Sequence, residues 1–303
     1  MLQPYLAAIL AGGVAFFLAR QSMLEGGLDP VIGVLPIAEA LLTCLLLVQL
    51  LRLEPPAERV LGRLALVAGA ALAFVTVAIP LQLEKEWITI GWALEGAALA
   101  WLYGRIPHRG LFYASNGLLA VVFVRLALNP SVFEYQARGL RVWNWYLYTY
   151  LICAAAMFAG ALFLSRTRGS KPAALRHASS LLPGGGTILL FLLLNIEIAD
   201  FYSGGSTITF NFSATLAQDL TYTLGWAVFA LGLLGAGLVL RSRPGRIAAL
   251  LLLVATVVKC FLHDLGRLGG LYRVGSFVGL AVCLALVALL LQRFVLSGAR
   301  EGK

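Results

Sequence analysis

The feature that most constrains this chain is a series of apolar runs, separated by short gaps that carry most of the charged residues. Each run is about 20 residues long, which is the length at which an α-helix crosses the hydrocarbon core of a bilayer. Composition agrees, because 60% of the 303 residues are apolar, 12% are charged and the mean hydropathy is +0.89. A soluble fold of this size leaves about a quarter of its chain surface in water and could not bury so much apolar area. The sequence therefore predicts an all-α polytopic membrane protein and excludes a soluble enzyme, a nucleic-acid-binding protein and a disordered chain.

We predict a helix bundle of about ten transmembrane helices. The residues before the first run lack a basic segment and a cleavage site, so we expect that run to be a span and not a removable signal peptide. The predicted spans lie near residues 4–19, 31–51, 60–79, 88–104, 111–128, 145–165, 181–198, 219–240, 246–262 and 271–292.

Basic residues in the gaps predict the orientation. The gaps after the even-numbered spans hold fifteen of the 23 basic residues but three of the 14 acids, a net charge of +12. All other positions together carry −3. Loops rich in Lys and Arg stay in the cytoplasm. We therefore expect a multi-pass protein of the bacterial inner membrane with both termini in the cytoplasm.

A short sequence repeat within the chain suggests a duplication. The segment TIGWAL at residues 89–94 recurs as TLGWAV at residues 223–228, which is 134 positions and four spans later. Both copies would run in the same direction, as in a parallel repeat. We therefore expect one membrane domain in which two N-terminal helices (1–58) precede a first (60–165) and a second (178–295) four-helix unit.

Several ionisable residues lie inside the predicted spans, where each charge costs about 3 kcal/mol and calls for a partner or a function. In the predicted orientation they lie in the outer half of the membrane or at its outer edge. The bases and the acids near span ends also fit side chains that reach the interface or end a helix, whereas Glu39 and Glu95 lie too deep for that. These residues are Glu39, Glu95, Arg125, Glu197, Asp219, Lys259 and Arg273.

From these positions we predict a polar cavity open to the periplasm. Its candidate ligand-binding residues are Glu95, Glu197, Lys259, Asp264 and Arg273. Since a lone buried charge is costly, we expect Glu95 to contact Lys259 or Arg273. A structural ion pair or a hairpin lock is the alternative to a ligand site.

Motifs for catalysis are sparse. The three histidines lie in gaps, so haem ligation inside the bundle is not expected, and we predict no cofactor, no metal site and no catalytic residue. Two groups of residues in the outer loops have side chains suited to metal binding or to acid–base catalysis. Glu84 and Glu86 present two carboxylates that suit a divalent cation, and His263 with Asp264 resembles an acid–base couple. Charged loops more often face water.

Five segments carry a resemblance to a family of bacterial membrane proteins, domain of unknown function 2339. They are residues 87–99 (WITIGWALEGAAL), 144–148 (NWYLY), 193–198 (LLNIEI), 259–265 (KCFLHDL) and 270–277 (GLYRVGSF). The resemblance extends over about residues 74 to 295. Members of that family are typically longer, so this chain is similar to a short member or a terminal portion. The resemblance implies a helical membrane fold and no known activity.

Three classes of function follow. The favoured class binds or transports a polar or anionic envelope metabolite, or a lipid headgroup, in the periplasm-facing cavity. The second is a structural or assembly subunit that packs against other membrane proteins. The third is a membrane-embedded envelope transferase that uses Glu84, Glu86 or Asp264, and the missing motifs count against it. The expected partners are thus the bilayer, a small polar or lipid ligand and other membrane proteins, but no nucleic acid.

Reporter fusions test the predicted orientation. Fusions at Lys303 and after Arg176 should report cytoplasm, and one within residues 203–213 should report periplasm, because basic loops stay inside. The measurement compares a cytoplasmic with a periplasmic reporter activity at each position. A periplasmic C-terminus would contradict the orientation.

Overall fold

The computed structural model describes residues 3–27, 33–53, 60–82, 86–130, 144–166, 173–203, 215–260 and 285. Within these ranges every extended regular element is a helix, which confirms the all-α fold. The helices are α1 (Gln3–Glu25), α2 (Val34–Leu53), α3 (Leu61–Gln82), α4 (Glu86–Arg105), α5 (Arg109–Ala127), α6 (Trp145–Arg166), α7 (Ala173–Tyr202), α8 (Leu216–Val239) and α9 (Arg243–Lys259).

Seven of these helices are long and apolar enough to cross a membrane. They are α1, α2, α3, α5, α6, α7 and α8. The nine described helices correspond to the first nine predicted spans, and the tenth, near 271–292, lies outside the described residues. α4 is not among these seven, and it carries Glu95 near its middle and a charged residue at each end. Since α4 packs against α3, α5 and α6, its polar side chain faces other helices instead of lipid.

Two helices extend furthest beyond the predicted spans. α1 continues past Arg20 to Glu25, and α7 begins at Ala173 and runs through Pro183. The prediction ended at the last apolar residue, but a helix continues into the polar interface wherever its backbone bonds remain intact. Hydrophobic length therefore underestimates helix length at both places.

The chain forms two compact units, Met1–Thr209 and Phe210–Lys303. The first unit contains α1 to α7, and the second contains α8 and α9 among the described helices. In the first unit α4 and α6 pack closely, with α5 against α4 and α7 against α6. α2 packs on α3, whereas α1 has no buried residue and lies at the edge of the unit.

Leu119 of α5 holds the centre of the first unit together. Its side chain is fully buried and lies against Gly96 of α4 and Gly160 of α6. A Cβ added at Gly96 would lie 2.8 Å from Leu119 Cγ, and one at Gly160 would lie 2.9 Å from Leu119 Cδ1. Small residues at such crossings let helix backbones approach closely in membranes. The two glycines therefore form the recess that receives Leu119.

Buried hydrogen bonds support the same contact. Ser115 Oγ donates to the Gly96 carbonyl at 2.8 Å, and Tyr150 Oη of α6 donates to the Leu126 carbonyl at 2.8 Å. Both donors are fully buried. In an apolar environment an unsatisfied hydroxyl costs several kcal/mol, so each bond favours this one arrangement of α4, α5 and α6.

In the second unit a tight turn joins α8 to α9. The Arg241 N–H donates to the Leu238 carbonyl and the Ser242 N–H donates to the Gly237 carbonyl, which is a Schellman ending. Arg241 adopts φ +51°, a conformation usually taken by glycine at this position. Ser242 Oγ then accepts from the Gly245 N–H and caps α9.

The predicted duplication stays a prediction, although the helix bounds are consistent with it. α5 begins at Arg109 and α9 begins at Arg243, which are also 134 positions apart. α4, which precedes α5, contains the segment TIGWAL, and α8, which precedes α9, contains its repeat TLGWAV. The boundary between the compact units lies after α7, whereas the predicted repeat boundary lies before it.

Gly96→Ala should destabilise the protein by about 1–3 kcal/mol, because the new methyl group would overlap Leu119. Leu119 cannot retreat, since Gly160 closes the other side of the recess. The measurement is thermal unfolding in detergent, followed by tryptophan fluorescence.

Gly117→Ala of α5 is the matched control, because no atom lies within 4 Å of the added Cβ. It should unfold at the wild-type temperature or slightly above it, since alanine favours a helix over glycine. Equal losses in both variants would contradict the role of the recess.

Candidate functional site

Glu95 is the most enclosed acidic residue described in the first unit. Glu95 lies near the middle of α4 and exposes 6% of its surface. The Thr76 hydroxyl of α3 donates to its Oε1, and the Trp92 indole N–H donates to the Thr76 carbonyl at 3.3 Å. Glu95 Oε2 is also buried, and no described residue donates a hydrogen bond to it. One oxygen of a buried carboxyl group therefore has no hydrogen-bond donor among the described residues.

Glu95 lies on a groove of about 760 Å³, which we call the Glu95 groove. α3 provides most of one wall with small residues, and α5 provides the other near its start. Gly62 and Thr76 both line it, and the helical rise places them about 21 Å apart along α3. The other lining residues are Ile9, Ala65, Leu66, Gly69, Ala70, Leu72, Ala73, Leu99, His108, Gly110, Leu111 and Ala114.

The two ends of the Glu95 groove differ in polarity. Glu95 and Thr76 lie at one end, and His108 lies at the other, where its Nδ1 accepts from the Gly110 N–H and caps α5. The wall between them is apolar and made of small side chains, because the α3 positions that face the groove are mainly Gly and Ala. A long, narrow, apolar molecule with one polar end fits such a surface.

Glu39, the other deep carboxylate, lies elsewhere in the first unit. It is half-buried on α2, and its Oε2 lies 3.5 Å from the position that a Cβ on Gly12 of α1 would occupy. Glu39 does not line the Glu95 groove. The two deep acids thus occupy different surroundings.

Glu197 belongs to a separate polar cluster at the end of α7. The Asn144 amide nitrogen donates to Glu197 Oε2 at 3.3 Å and to Asp200 Oδ2 at 3.1 Å. Asn144 Oδ1 accepts from the Leu147 N–H, so the same side chain also caps α6. Glu197 Oε1 is buried and receives no hydrogen bond from any described residue. One asparagine therefore ties the start of α6 to two acids of α7.

Lys259 lies in the second unit and joins α9 to α8. Its Nζ donates to the Thr223 hydroxyl at 2.7 Å and to the Asp219 carbonyl at 3.3 Å. This contact joins α9 to the preceding helix, whereas the hairpin lock expected from the sequence joins Lys259 to Arg273 of the following span, so that lock stays a prediction. Asp264 and Arg273 lie outside the described residues, and so does the predicted acid–base couple.

The three candidate residues that the structure describes each have a different partner. Glu95 contacts Thr76, Glu197 contacts Asn144, and Lys259 contacts Thr223. The pairing of Glu95 with Lys259 or Arg273 stays a prediction. Within the ranges that the structure covers, no three His, Cys, Asp or Glu side chains form a group that could hold a metal ion.

Sequence reasoning missed Thr76 and the amide of Asn144 as partners of these acids. A threonine in an apolar helix commonly bonds its own backbone, and the Leu72 carbonyl, 2.9 Å from Thr76 Oγ1, competes with Glu95 for the one hydroxyl proton. Its spacing of 19 residues from Glu95 carries no periodic signal. The position of Asn144 directly before an apolar run was the one available sign, because Asn is a preferred N-cap residue.

Comparison with known proteins identifies one family. The family of predicted membrane proteins DUF2339 matches residues 2–116 and 107–294, which together cover most of the chain. No curated protein and no solved structure matches it.

Lys259 and Thr223 should be energetically coupled. In a double-mutant cycle with Lys259→Met and Thr223→Val, we expect a coupling of about 1 kcal/mol, which is within the range for hydrogen bonds between membrane helices. Thermal unfolding of the four proteins in detergent gives the coupling. Thr221→Val is the matched control, because Thr221 bonds the Ala217 carbonyl of its own helix.

The same cycle with Glu95→Gln in place of Thr223→Val tests the pair expected from the sequence. Additive losses for Glu95 and Lys259 would contradict that pair, whereas additive losses for Thr223 and Lys259 would contradict a stabilising contact between α8 and α9.

Proposed function

The chain belongs to the predicted membrane protein family DUF2339, and we propose that it binds a slender, lipid-like molecule in the Glu95 groove, with the polar end of that molecule at Glu95. In this proposal the protein is a multi-pass protein of the bacterial inner membrane with both termini in the cytoplasm. The ligand is an envelope metabolite or a lipid. Binding is the primary activity, and transport would require a second opening for the same site.

A single observation carries the proposal: Glu95 Oε2 is buried on the wall of a groove, and no described residue donates to it. A buried polar oxygen without a donor costs about 1–3 kcal/mol, and more if it is charged. The lining near it is mainly small and apolar, so the groove itself offers few donors. A ligand that brings a donor would recover this free energy.

The chemistry of Glu95 selects the ligand. A carboxylate accepts hydrogen bonds and attracts cations, so the polar end of the ligand is a hydroxyl or an ammonium group. The remainder is apolar and slender, because Gly62, Gly69 and Ala73 leave a narrow channel. This chemistry differs from the anion that Lys259 and Arg273 favour, and an anionic ligand at those bases remains a separate prediction for the periplasmic side.

The predicted orientation gives the groove a direction. α3 and α5 begin on the arginine-rich side, so His108 would lie near the cytoplasm and Glu95 in the outer half of the membrane. A molecule whose polar end contacts Glu95 would extend its apolar part toward the cytoplasmic side. Opening of the Glu95 end toward the periplasm would turn this binding site into a transport route.

A structural or assembly role is the second candidate, and α1 favours it. This helix has no buried residue and exposes Leu10, Val14 and Phe17 by more than half. Such a face contacts either lipid or another membrane protein. The transferase alternative depends on Glu84, Glu86 and Asp264, whose side chains lie outside the described residues.

Matched amphiphiles test the proposal. Dodecylamine, dodecanol and dodecanoate share one chain and differ in the polar group. We expect the amine and the alcohol to raise the unfolding temperature of the purified protein saturably, because both donate to Glu95, and the carboxylate to have no such effect. At about 100 times the dissociation constant, a ligand adds about 2.7 kcal/mol of stability.

Variants assign the effect to one side chain. Glu95→Gln should lose the response to the amine, and Glu95→Leu should lose both responses. Glu39→Gln is the control, because it removes a deep carboxylate outside the Glu95 groove. Equal stabilisation by all three amphiphiles, or an unchanged response in Glu95→Leu, would contradict the proposal.

A further inference from the structure

Gly69 lies at the midpoint of the α3 wall of the Glu95 groove. It follows Gly62 by seven residues and precedes Thr76 by seven, so the helical rise places it about 10 Å from each. Seven residues make almost two full turns of an α-helix, so these three residues lie on the same face of α3. A side chain in place of Gly69 would therefore divide the groove into two halves of about equal length.

Helix packing does not account for the glycine at this position. No described atom lies within 4 Å of a Cβ built on Gly69, whereas a Cβ on Gly96 or Gly160 would overlap Leu119. Glycine is also less favourable than alanine inside a helix, because it loses more backbone entropy on folding. What the missing side chain does here is keep the middle of the groove open.

The neighbours of Gly69 on α3 continue the open channel in both directions. Ala65 and Ala73 lie four residues away, about 40° round the helix to either side of Gly69, and both line the groove. Leu66 and Leu72 also line it, but they lie three residues away and about 60° round. The larger side chains therefore border the channel, and the smallest ones form its centre.

The length of the channel corresponds to a definite length of hydrocarbon chain. C–C bonds of about 1.5 Å at near-tetrahedral angles advance an extended chain by about 1.25 Å per carbon. The distance from Thr76 to Gly62, about 21 Å, then corresponds to about 16 carbons. The distance from Thr76 to Gly69 corresponds to about 8 carbons.

We propose that the Glu95 groove takes a single-chain amine or alcohol of about 16 carbons, and that Gly69 admits the half of the chain beyond about the eighth carbon. This inference rests on the proposed function, because the chain has a defined start only where Glu95 holds the polar end. Glu95 Oε2 is buried in the wall and has no donor among the described residues, so it provides that anchor. A furrow without an anchor would take lipid chains of any length, since each chain could slide along it.

Primary amines of increasing length test the inference: octylamine, dodecylamine, hexadecylamine and eicosylamine. Dissociation constants come from the unfolding temperature of the purified protein at rising amine content, expressed as mole fraction in the detergent micelle. The wild type should bind hexadecylamine about ten times more tightly than octylamine, because the longer chain contacts the wall along its whole length. Eicosylamine should bind no more tightly than hexadecylamine, because its last carbons extend beyond the channel.

Gly69→Leu should lower the ratio of these two affinities from about ten to about one, chiefly through weaker binding of hexadecylamine. A side chain on a helix points toward the N-terminus, here toward Gly62, so it would fill the far half of the channel. Gly69→Ala should lower the ratio in part and unfold at the wild-type temperature or above it. The alanine variant decides the question if the leucine variant does not fold.

Gly117→Leu is the matched control. Gly117 of α5 is exposed and does not line the Glu95 groove, and no described atom lies within 4 Å of its added Cβ. The same change of residue should leave the ratio of affinities at the wild-type value. A ratio that falls equally in Gly117→Leu and Gly69→Leu would overturn the inference.

Glu95→Leu separates the inference from the proposed function. If no amine binds the wild type saturably, or if Glu95→Leu binds the amines as tightly as the wild type, the proposed function fails and the inference fails with it. If binding depends on Glu95 but Gly69→Leu and Gly69→Ala keep the wild-type ratio, only the inference is overturned. An affinity that still rises from hexadecylamine to eicosylamine would also overturn the length limit alone.

Discussion

The contact of Leu119 with Gly96 and Gly160 determines how α4 is rotated in the first unit. Successive helical residues point about 100° apart. Once Gly96 faces α5, Glu95 must therefore face a different neighbour, and that neighbour is α3. Gly91 lies one turn earlier on the same face as Glu95, and a Cβ there would lie 3.0 Å from Ile79 of α3. The close approach of α4 to α5 thus directs the carboxyl group toward Thr76 and the groove.

Three described ionisable groups inside the bundle have the same kind of partner. Thr76 donates to Glu95, Asn144 donates to Glu197, and Thr223 accepts from Lys259. In each case a neutral side chain of a neighbouring helix contacts the ionisable group. A neutral partner avoids desolvating a second charge, which is the main cost of a buried ion pair. It also satisfies one oxygen of each carboxyl group and leaves the other available.

The sequence by itself determined the class of the fold, nine of the helices and the family. It also showed that charges such as Glu95 lie inside the spans. Both follow from local properties, namely the length of each apolar run and the free energy of placing a charge in hydrocarbon. It indicated too that Glu95 and Glu197 need partners. The tertiary structure decided which residues those partners are. Thr76 and Asn144 lie 19 and 53 positions away from them, and both are neutral, so no rule about charge or spacing identifies them. The rotation of α4 depends on glycines that meet Leu119, and that fit exists only when three helices come together.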